Sequence, residues 1–280
     1  MNQVKTKALI LAAGQGSRLR PFTQSAPKAM VPFADVPLFD YQLAVLRHCG
    51  IEQIAVVTGY CAETLAAYPL PQFYNAEHLS TNMVYSLFCA EDFMAGNEDL
   101  LICYSDILYQ QQLIEQLLAT EADAAVVADL NWFKLWSCRM DDPLSDAESF
   151  KVKEGYLLEL GKKASSLDDI SAQYTGLIKI SASRLADFIQ CYRSLPEDRL
   201  YDGKTKSQMF MTSLLQLMIE QGWRIKPAYC KGGWLEIDTV EDLTQYQQME
   251  AEGRLLTELA LDIPMLKNLL LQGKASLYQD

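Results

Sequence analysis

Two periodicities alternate along the chain. Ala8 to Ala13 is a continuous apolar run, the pattern of a strand buried on both faces. Aliphatic and β-branched runs recur at 51–58, 100–107, 123–130 and 224–229, with shorter ones at 72–74 and 234–238. Residues 173–180 alternate polar with apolar, as a strand with two unlike faces does. Between these runs, apolar residues return at helical spacing in 39–49, 61–68, 80–93, 113–118, 183–195, 207–221 and from Val240 onward. Gly50 and Gly222 stop two of these helices, and Ser80, Thr81 or Asn82 is placed to cap a third. Residues 150–161 read as a hairpin turning at Glu154-Gly155, and 162–172 and 200–206 as polar loops. The stretch 131–146 mixes two tryptophans, several charges and a proline, and 252–280 reads as one or two amphipathic helices with a polar end. Strands alternating with helices predict an α/β fold of three layers, with a mostly parallel mixed sheet between helices. Ligands of such sheets bind beyond the carboxyl ends of the strands, where the loops at Gly14, Thr58, Asn75 and Ser105 fall.

The first of those loops carries the strongest chemical signal. The apolar run breaks into Gly14-Gln15-Gly16-Ser17-Arg18. Two glycines let backbone approach a bulky anion and adopt positive φ, and successive N–H groups in such a turn cradle phosphate. Arg18 can fork two donors onto a phosphate. Lys28 follows Pro27 on a loop stiffened by Pro21 and Pro27, where it acts as a point charge. The dinucleotide fingerprint is incomplete, because Leu19 stands where its third glycine belongs, and no Walker run is present.

Composition narrows the function further. The 280 residues, half of them hydrophobic, suffice for one large α/β domain or a domain with a small appendage. A net charge of −12 argues against a nucleic-acid partner. An acidic protein that binds a nucleotide needs a local basic pocket, which Arg18, Arg20 and Lys28 supply, and usually a divalent cation. The seven cysteines form no CxxC, which predicts free thiols in a reducing compartment. The amino-terminal apolar run is too short for a signal peptide and continues into the glycine loop. No run of about 18 apolar residues exists to span a membrane, so a cytoplasmic protein without a membrane partner is expected.

Two carboxylates complete the pattern. Asp106 and Asp238 each end an apolar run, facing the ligand crevice. Oxygen ligands suit Mg²⁺, which takes one or two carboxylates with substrate phosphates and water. Glu236, two residues before Asp238 on the same strand face, is the next ligand candidate. Spacing alone does not bring Asp106 and Asp238 together. Zinc is disfavoured, since His48 and His78 are isolated.

The string GQGSRLRPFTQSAPK, the strand end YSDI and WLEIDTVEDL resemble the nucleotidyltransferase superfamily of GT-A-like (Rossmann-like) fold over about residues 5–250. NAEHLSTNMVYSL is similar to the branch of bacterial CTP:phosphocholine cytidylyltransferases. The middle segment, beginning at WFKLWSCRMDDPLSD, resembles relatives that cytidylylate 2-aminoethylphosphonate or phosphoglutamine to decorate surface polysaccharide or lipid. The resemblance implies a nucleotidyltransferase domain over 1–250, an acceptor-binding part within about 131–236, and a helical extension over 251–280 for packing or for contacts in an oligomer such as a homodimer. It implies that Leu11, Ala12, Ala13, Gly14, Gly16, Ser17 and Tyr104 contact the nucleotide. Arg18 and Lys28 would hold its phosphates, Asn82 and Ser86 would lie near cytosine and ribose, and Asp106 and Asp238 would hold Mg²⁺.

The implied chemistry is attack of an acceptor phosphate or phosphonate oxygen on the α-phosphorus of CTP. The nucleophile is already an anion, so in-line positioning and charge neutralisation suffice. For an amine-bearing acceptor, Trp132, Trp136, Tyr174, Tyr201 and Trp234 could offer aromatic faces to an ammonium. Asp141, Asp142, Glu148 and Asp202 could pair with it, and Lys162 and Lys163 could hold its phosphate. Two other readings stay open: a hexose-1-phosphate nucleotidyltransferase using UTP or dTTP, and a non-catalytic nucleotide-binding regulator.

Overall fold

The computed structural model describes residues 5–276. A seven-stranded mixed sheet lies at its centre. In chain order its strands are β1 (Thr6–Ala12), β2 (Gln53–Thr58), β3 (Gln72–Tyr74), β4 (Asp99–Tyr104), β6 (Ala124–Asp129), β9 (Gln173–Ile180) and β10 (Ile225–Cys230). A short pair, β5 (Ile107–Tyr109) with β11 (Trp234–Glu236), and a hairpin, β7 (Glu148–Lys153) with β8 (Tyr156–Lys163), stand beside it. The order across the sheet is β10-β6-β9-β4-β1-β2-β3. Every neighbouring pair is parallel except the two that β9 makes with β4 and β6. This is the α/β layer arrangement that the alternating pattern predicts.

Burial explains the strand compositions. β1, β4 and β6 are buried almost throughout, and a parallel sheet covered on both faces reads as a continuous apolar run. One face packs under α1 (Leu38–His48), α3 (Gln111–Ala119) and the carboxyl-terminal helices; the other packs under α2 (Met83–Phe88), α5 (Leu185–Arg193) and α6 (Met211–Glu220). Between α3 and α5, the chain forms α4 (Trp132–Arg139), and α7 (Val240–Ala251), α8 (Arg254–Leu259) and α9 (Ile263–Ser276) complete it. Leu255, Leu259, Leu261, Ile263 and Leu266 of the carboxyl-terminal stretch are buried in the same core as α1. The last four residues of the expected helical tail lie outside the described residues.

Several local expectations are corrected. The stretch 61–68 forms only a 3₁₀ turn, Ala62–Leu65, because Pro69 and Pro71 leave too few residues for a helix to propagate. The helix expected over 80–93 is broken into Met83–Phe88 and Glu91–Met94. The strand that begins at Asp99 ends at Tyr104, so Asp106 sits in a turn before β5 rather than on the strand. The stretch 131–146, without an assignment from its pattern, contains α4. Trp132, Leu135 and Trp136 are its buried positions, and a charged Arg139 continues that face where an apolar residue is normally expected. No helix among the described residues is long and apolar enough to cross a membrane. All seven cysteines are unpaired.

Candidate active site

The site forms where the glycine loop, the β4–β5 turn and the strand β11 converge. Gly16 adopts φ 60°, ψ 45°, the left-handed region that costs a side chain about 1 kcal/mol or more. Its carbonyl accepts from Leu19 N at 2.9 Å and from Thr23 Oγ1 at 2.7 Å. A Cβ on Gly16 would lie 2.3 Å from Lys28 Cγ, so glycine is required both for the turn and for the lysine lying across it. Lys28 opens a 3₁₀ turn after Pro27, and its stem reaches over Gly16 toward the carboxylates.

Asp106 and Asp238 meet, although 132 positions separate them (238 − 106). β11 runs antiparallel to β5, pairing Trp234 with Tyr109 and Glu236 with Ile107. The Ile237 amide then donates to the Asp106 carbonyl at 3.0 Å. Buried Gln42 of α1 donates to the carbonyls of Tyr104 and Ile107, at 2.9 and 2.7 Å, and so clamps both ends of the Asp106 turn. Lys28 Nζ donates to Asp106 Oδ2 at 2.9 Å and also pairs with Asp238 Oδ1. Arg18 reaches Asp238 Oδ1 at 3.3 Å from a largely exposed position.

Burial alone would lower the Lys28 pKa, but the charges of Asp106 and Asp238 outweigh it and raise it. Burial pushes against ionisation of Asp238, yet Lys28, Arg18 and Arg139 hold its carboxyl below the ordinary value. Glu236, desolvated and close to both aspartates, is pushed up to about 8. Carboxylate oxygens of Asp106, Glu236 and Asp238 lie within 4.8 Å of one another. Asp106 Oδ1 is buried with no hydrogen-bond partner. An oxygen-only donor set with one orphaned carboxylate oxygen fits a hard divalent cation.

Two cavities flank this centre. The first, about 310 Å³, is lined by Leu11, Ala13, Gly14, Gly16, Ser17 and Arg18 on one side. Asn82, Ser86, Tyr104, Lys28 and Asp106 line the rest, together with Thr81, a cap candidate in the sequence, Ser105 of an expected ligand loop, and His78 and Met83. Ala12 does not line it: side chains alternate along β1, and this one points into the core of the opposite face. Asn82 is the cap of α2, its Oδ1 accepting from Met83 N at 2.8 Å. Buried Asn75 donates to Thr81 Oγ1 at 3.0 Å and Ser86 Oγ at 2.9 Å, which fixes this wall. The strand-end position of Asn75 and the polar run up to Asn82 were the available signal for these residues.

The second cavity, about 220 Å³, shares Met83 and Tyr104 with the first and is lined by Trp136, Tyr174, Trp234, Glu148, Glu236 and Asp238, among others. Trp136 and Trp234 are nearly buried, with ring centroids 6.1 Å apart. Trp136 Nε1 donates to Asp146 Oδ2 at 3.1 Å. Burial, with Asp146 and Asp202 adding to it, raises the Glu148 pKa to about 7. Trp132 is buried behind Trp136, edge to face at 6.0 Å, and does not line the cavity. Lys162 does not line the cavity either. It is about half exposed on the hairpin and pairs with Glu159 at 3.1 Å, because its position in β8 faces solvent. Tyr201, Asp141 and Asp142 also lie outside the cavity; the Tyr201 hydroxyl donates to the Pro196 carbonyl at 2.9 Å.

Arg139 was missed from the sequence. Its side chain is only 5 % exposed, and its Nη1 donates to Glu236 Oε2 at 2.9 Å, its Nε to Asp242 Oδ1 at 3.2 Å, and its Nη2 faces Asp238 Oδ2 at 3.5 Å.

Residues 8–151 match the family model of the MobA-like NTP transferase domain. The chain is 44 % identical over 245 residues to the CTP:phosphoglutamine cytidylyltransferase of Campylobacter jejuni, an alignment covering 84 % of this chain and 97 % of that one. It is 37 % identical over 157 residues to the choline-phosphate cytidylyltransferase of Streptococcus pneumoniae, covering 53 % of this chain and 68 % of the relative. Among solved structures, that of the CTP:phosphocholine cytidylyltransferase from S. pneumoniae superposes with a TM-score of 0.64 at 18 % identity, over 88 % of this chain and all of the other. With a family model spanning half the chain and a close relative spanning most of it, the protein belongs to the nucleotidyltransferases built on the MobA-like NTP transferase domain.

Proposed function

We propose that this protein is a Mg²⁺-dependent cytidylyltransferase that joins the CMP of CTP to a small phosphorylated or phosphonate amine, of the phosphocholine, 2-aminoethylphosphonate or phosphoglutamine type. The observation that carries this reading is the position of the Lys28–Asp106–Asp238 cluster at the junction of the two cavities. One cavity has a glycine loop and two cations, suited to a nucleoside triphosphate. The other has aromatic and acidic walls, suited to an ammonium. A relative 44 % identical over 97 % of its own length, the CTP:phosphoglutamine cytidylyltransferase of Campylobacter jejuni, supports that acceptor first.

In this reading the acceptor oxygen forms a bond to the α-phosphorus of CTP, the bond from that phosphorus to the bridging oxygen of the β-phosphate breaks, and pyrophosphate leaves. Lys28 faces the developing negative charge at the centre. Arg18, largely exposed at the first cavity, would exchange its contact with Asp238 for the departing phosphates. Asn82 and Ser86 line the end suited to the nucleoside. Asp106 and Asp238, with Glu236 adjacent, would hold the cation, which when bound supplies charge neutralisation on phosphate oxygens. The nucleotide-binding unit is proposed over 1–250, and the product is proposed to serve decoration of surface polysaccharide or lipid from the cytoplasm.

The test is pyrophosphate release with Mg²⁺, comparing CTP, UTP, dTTP, ATP and GTP against phosphoglutamine, 2-aminoethylphosphonate, phosphocholine, phosphoethanolamine and glucose 1-phosphate. Release with CTP and one amine-bearing acceptor is expected. Release only with UTP or dTTP and the sugar phosphate overturns the cytidylyl reading.

A further inference from the structure

Resting on that reading, we propose that Arg139 is a positioning residue of the metal centre: it holds Glu236 out of the ligand set, so that Asp106 and Asp238 alone receive the cation. Three carboxylates stand close enough to share one ion, yet they are not equivalent. The Asp106 Oδ1 atom is orphaned, and Asp238 Oδ1 faces the Lys28 amine and the Arg18 guanidinium. Glu236 Oε2 lies 2.9 Å from Arg139 Nη1, a tighter contact than the 3.5 Å between Arg139 Nη2 and Asp238 Oδ2.

The guanidinium is itself held rigidly. Its Nε and Nη2 reach Asp242 Oδ1 and Oδ2 at 3.2 and 3.4 Å, the forked geometry that arginine favours with a carboxylate. Asp242 Oδ2 also accepts from the amides of Asp238 and Thr239, both at 3.0 Å, within the capping box that starts α7. One buried arginine therefore ties the backbone of Asp238 to the side chain of Glu236. Its position at the end of α4 is favourable, because carbonyls at a helix carboxyl terminus attract a cation.

The consequence is opposite in sign for binding and for turnover. Arg139→Gln removes a positive charge and releases Glu236, so bare Mn²⁺, titrated into the full chain and read by its electron paramagnetic resonance signal, binds several-fold tighter than to wild type. Turnover per folded, Mn²⁺-saturated protein falls by about 10–100-fold, in kcat rather than in the KM for CTP, because the ion is drawn off the productive pair. Arg139→Gln combined with Glu236→Gln returns the Mn²⁺ affinity toward wild type and recovers most of the lost kcat. Equal or weaker Mn²⁺ binding by R139Q, or no recovery in the double variant, overturns the proposal, since a purely structural arginine would produce that. If R139Q does not fold, Arg139→Lys replaces it. A single ammonium cannot hold Glu236 and Asp242 together, so R139K loses kcat, and R139K with E236Q regains it. Absence of pyrophosphate release by the wild type counts against the proposed reaction, while the Mn²⁺ affinities still judge the role of Arg139.

Discussion

Lys28 and Gly16 act as one unit. The lysine occupies the space that any side chain at position 16 would need, and its charge offsets two half-buried carboxylates. Lys28→Ala is expected to lower pyrophosphate release by about 10²–10³, the cost of losing one charge-stabilising donor, while circular dichroism stays native. Unchanged turnover would remove Lys28 from the mechanism. Gly16→Ala, which strains a left-handed turn and displaces the Lys28 stem, is expected to lower kcat and raise the KM for the nucleotide together. An effect on stability alone would separate the turn from the chemistry. Glu148 offers a test by pH. Its carboxyl has a pKa near 7 in the fold against 4.5 ordinarily, so the folded chain binds this proton more tightly than the unfolded chain. Stability therefore falls as pH rises through that window, and Glu148→Gln should flatten that slope in thermal melts from pH 4.5 to 7.5. If the acceptor ammonium sits beside Glu148, it favours the ionised form, and binding near pH 7 releases a proton. Calorimetry in buffers of different ionisation enthalpy would detect that release, and E148Q should lack it.

At the level of elements, the delivery of Asp238 to Asp106 depends on one short strand and the turn before it. Buried Asp129, at the end of β6, accepts from Asn131 N at 2.8 Å, Gly232 N at 2.9 Å and Trp234 Nε1 at 2.9 Å. These bonds hold the turn from β10 into β11 and set the tryptophan that walls the second cavity. Asp129→Ala would remove the acceptor of three donors and leave the buried Trp234 Nε1 unpaired, at a cost of about 1–3 kcal/mol. Urea denaturation should report the loss, and the KM for the acceptor should rise more than that for CTP. An equal rise in both would argue against a local effect on the second cavity. The pattern of the strands was plain in the sequence, whereas α4 was not. Its apolar face ends in Arg139, and a buried arginine looks like a surface residue until its three carboxylate partners are known.

For the whole molecule, the carboxyl-terminal helices are not peripheral. Leu255, Leu259, Leu261, Ile263 and Leu266 are each almost wholly buried in the core that also holds Leu43 and Leu46 of α1. Burial of that kind contributes about 1.5–3 kcal/mol for each large aliphatic side chain, so removing residues 253–280 should yield an aggregating or molten chain. A soluble, cooperatively melting truncation would show that 1–252 folds alone and restore the tail to an appendage. The net charge of −12 places the cationic cluster of Arg18 and Lys28 in an otherwise acidic molecule. Raised salt is therefore expected to weaken nucleotide binding through these few local contacts, a dependence that titration at two ionic strengths would measure.

Strand positions and most helix positions, the glycine loop, the lysine ten residues beyond it and the two candidate aspartates were legible in the residues alone, because period, glycine content and charge are local properties. Which carboxylates share an ion, which lysine faces solvent and which tryptophan is walled behind another were not. Those outcomes follow from strand pairing over long separations: β11 on β5 brings Asp238 to Asp106, and the register of β8 turns Lys162 outward. A chain can encode the chemistry of a site one residue at a time, but the distances that make it a site exist only once sheet pairing has closed loops that no local pattern records.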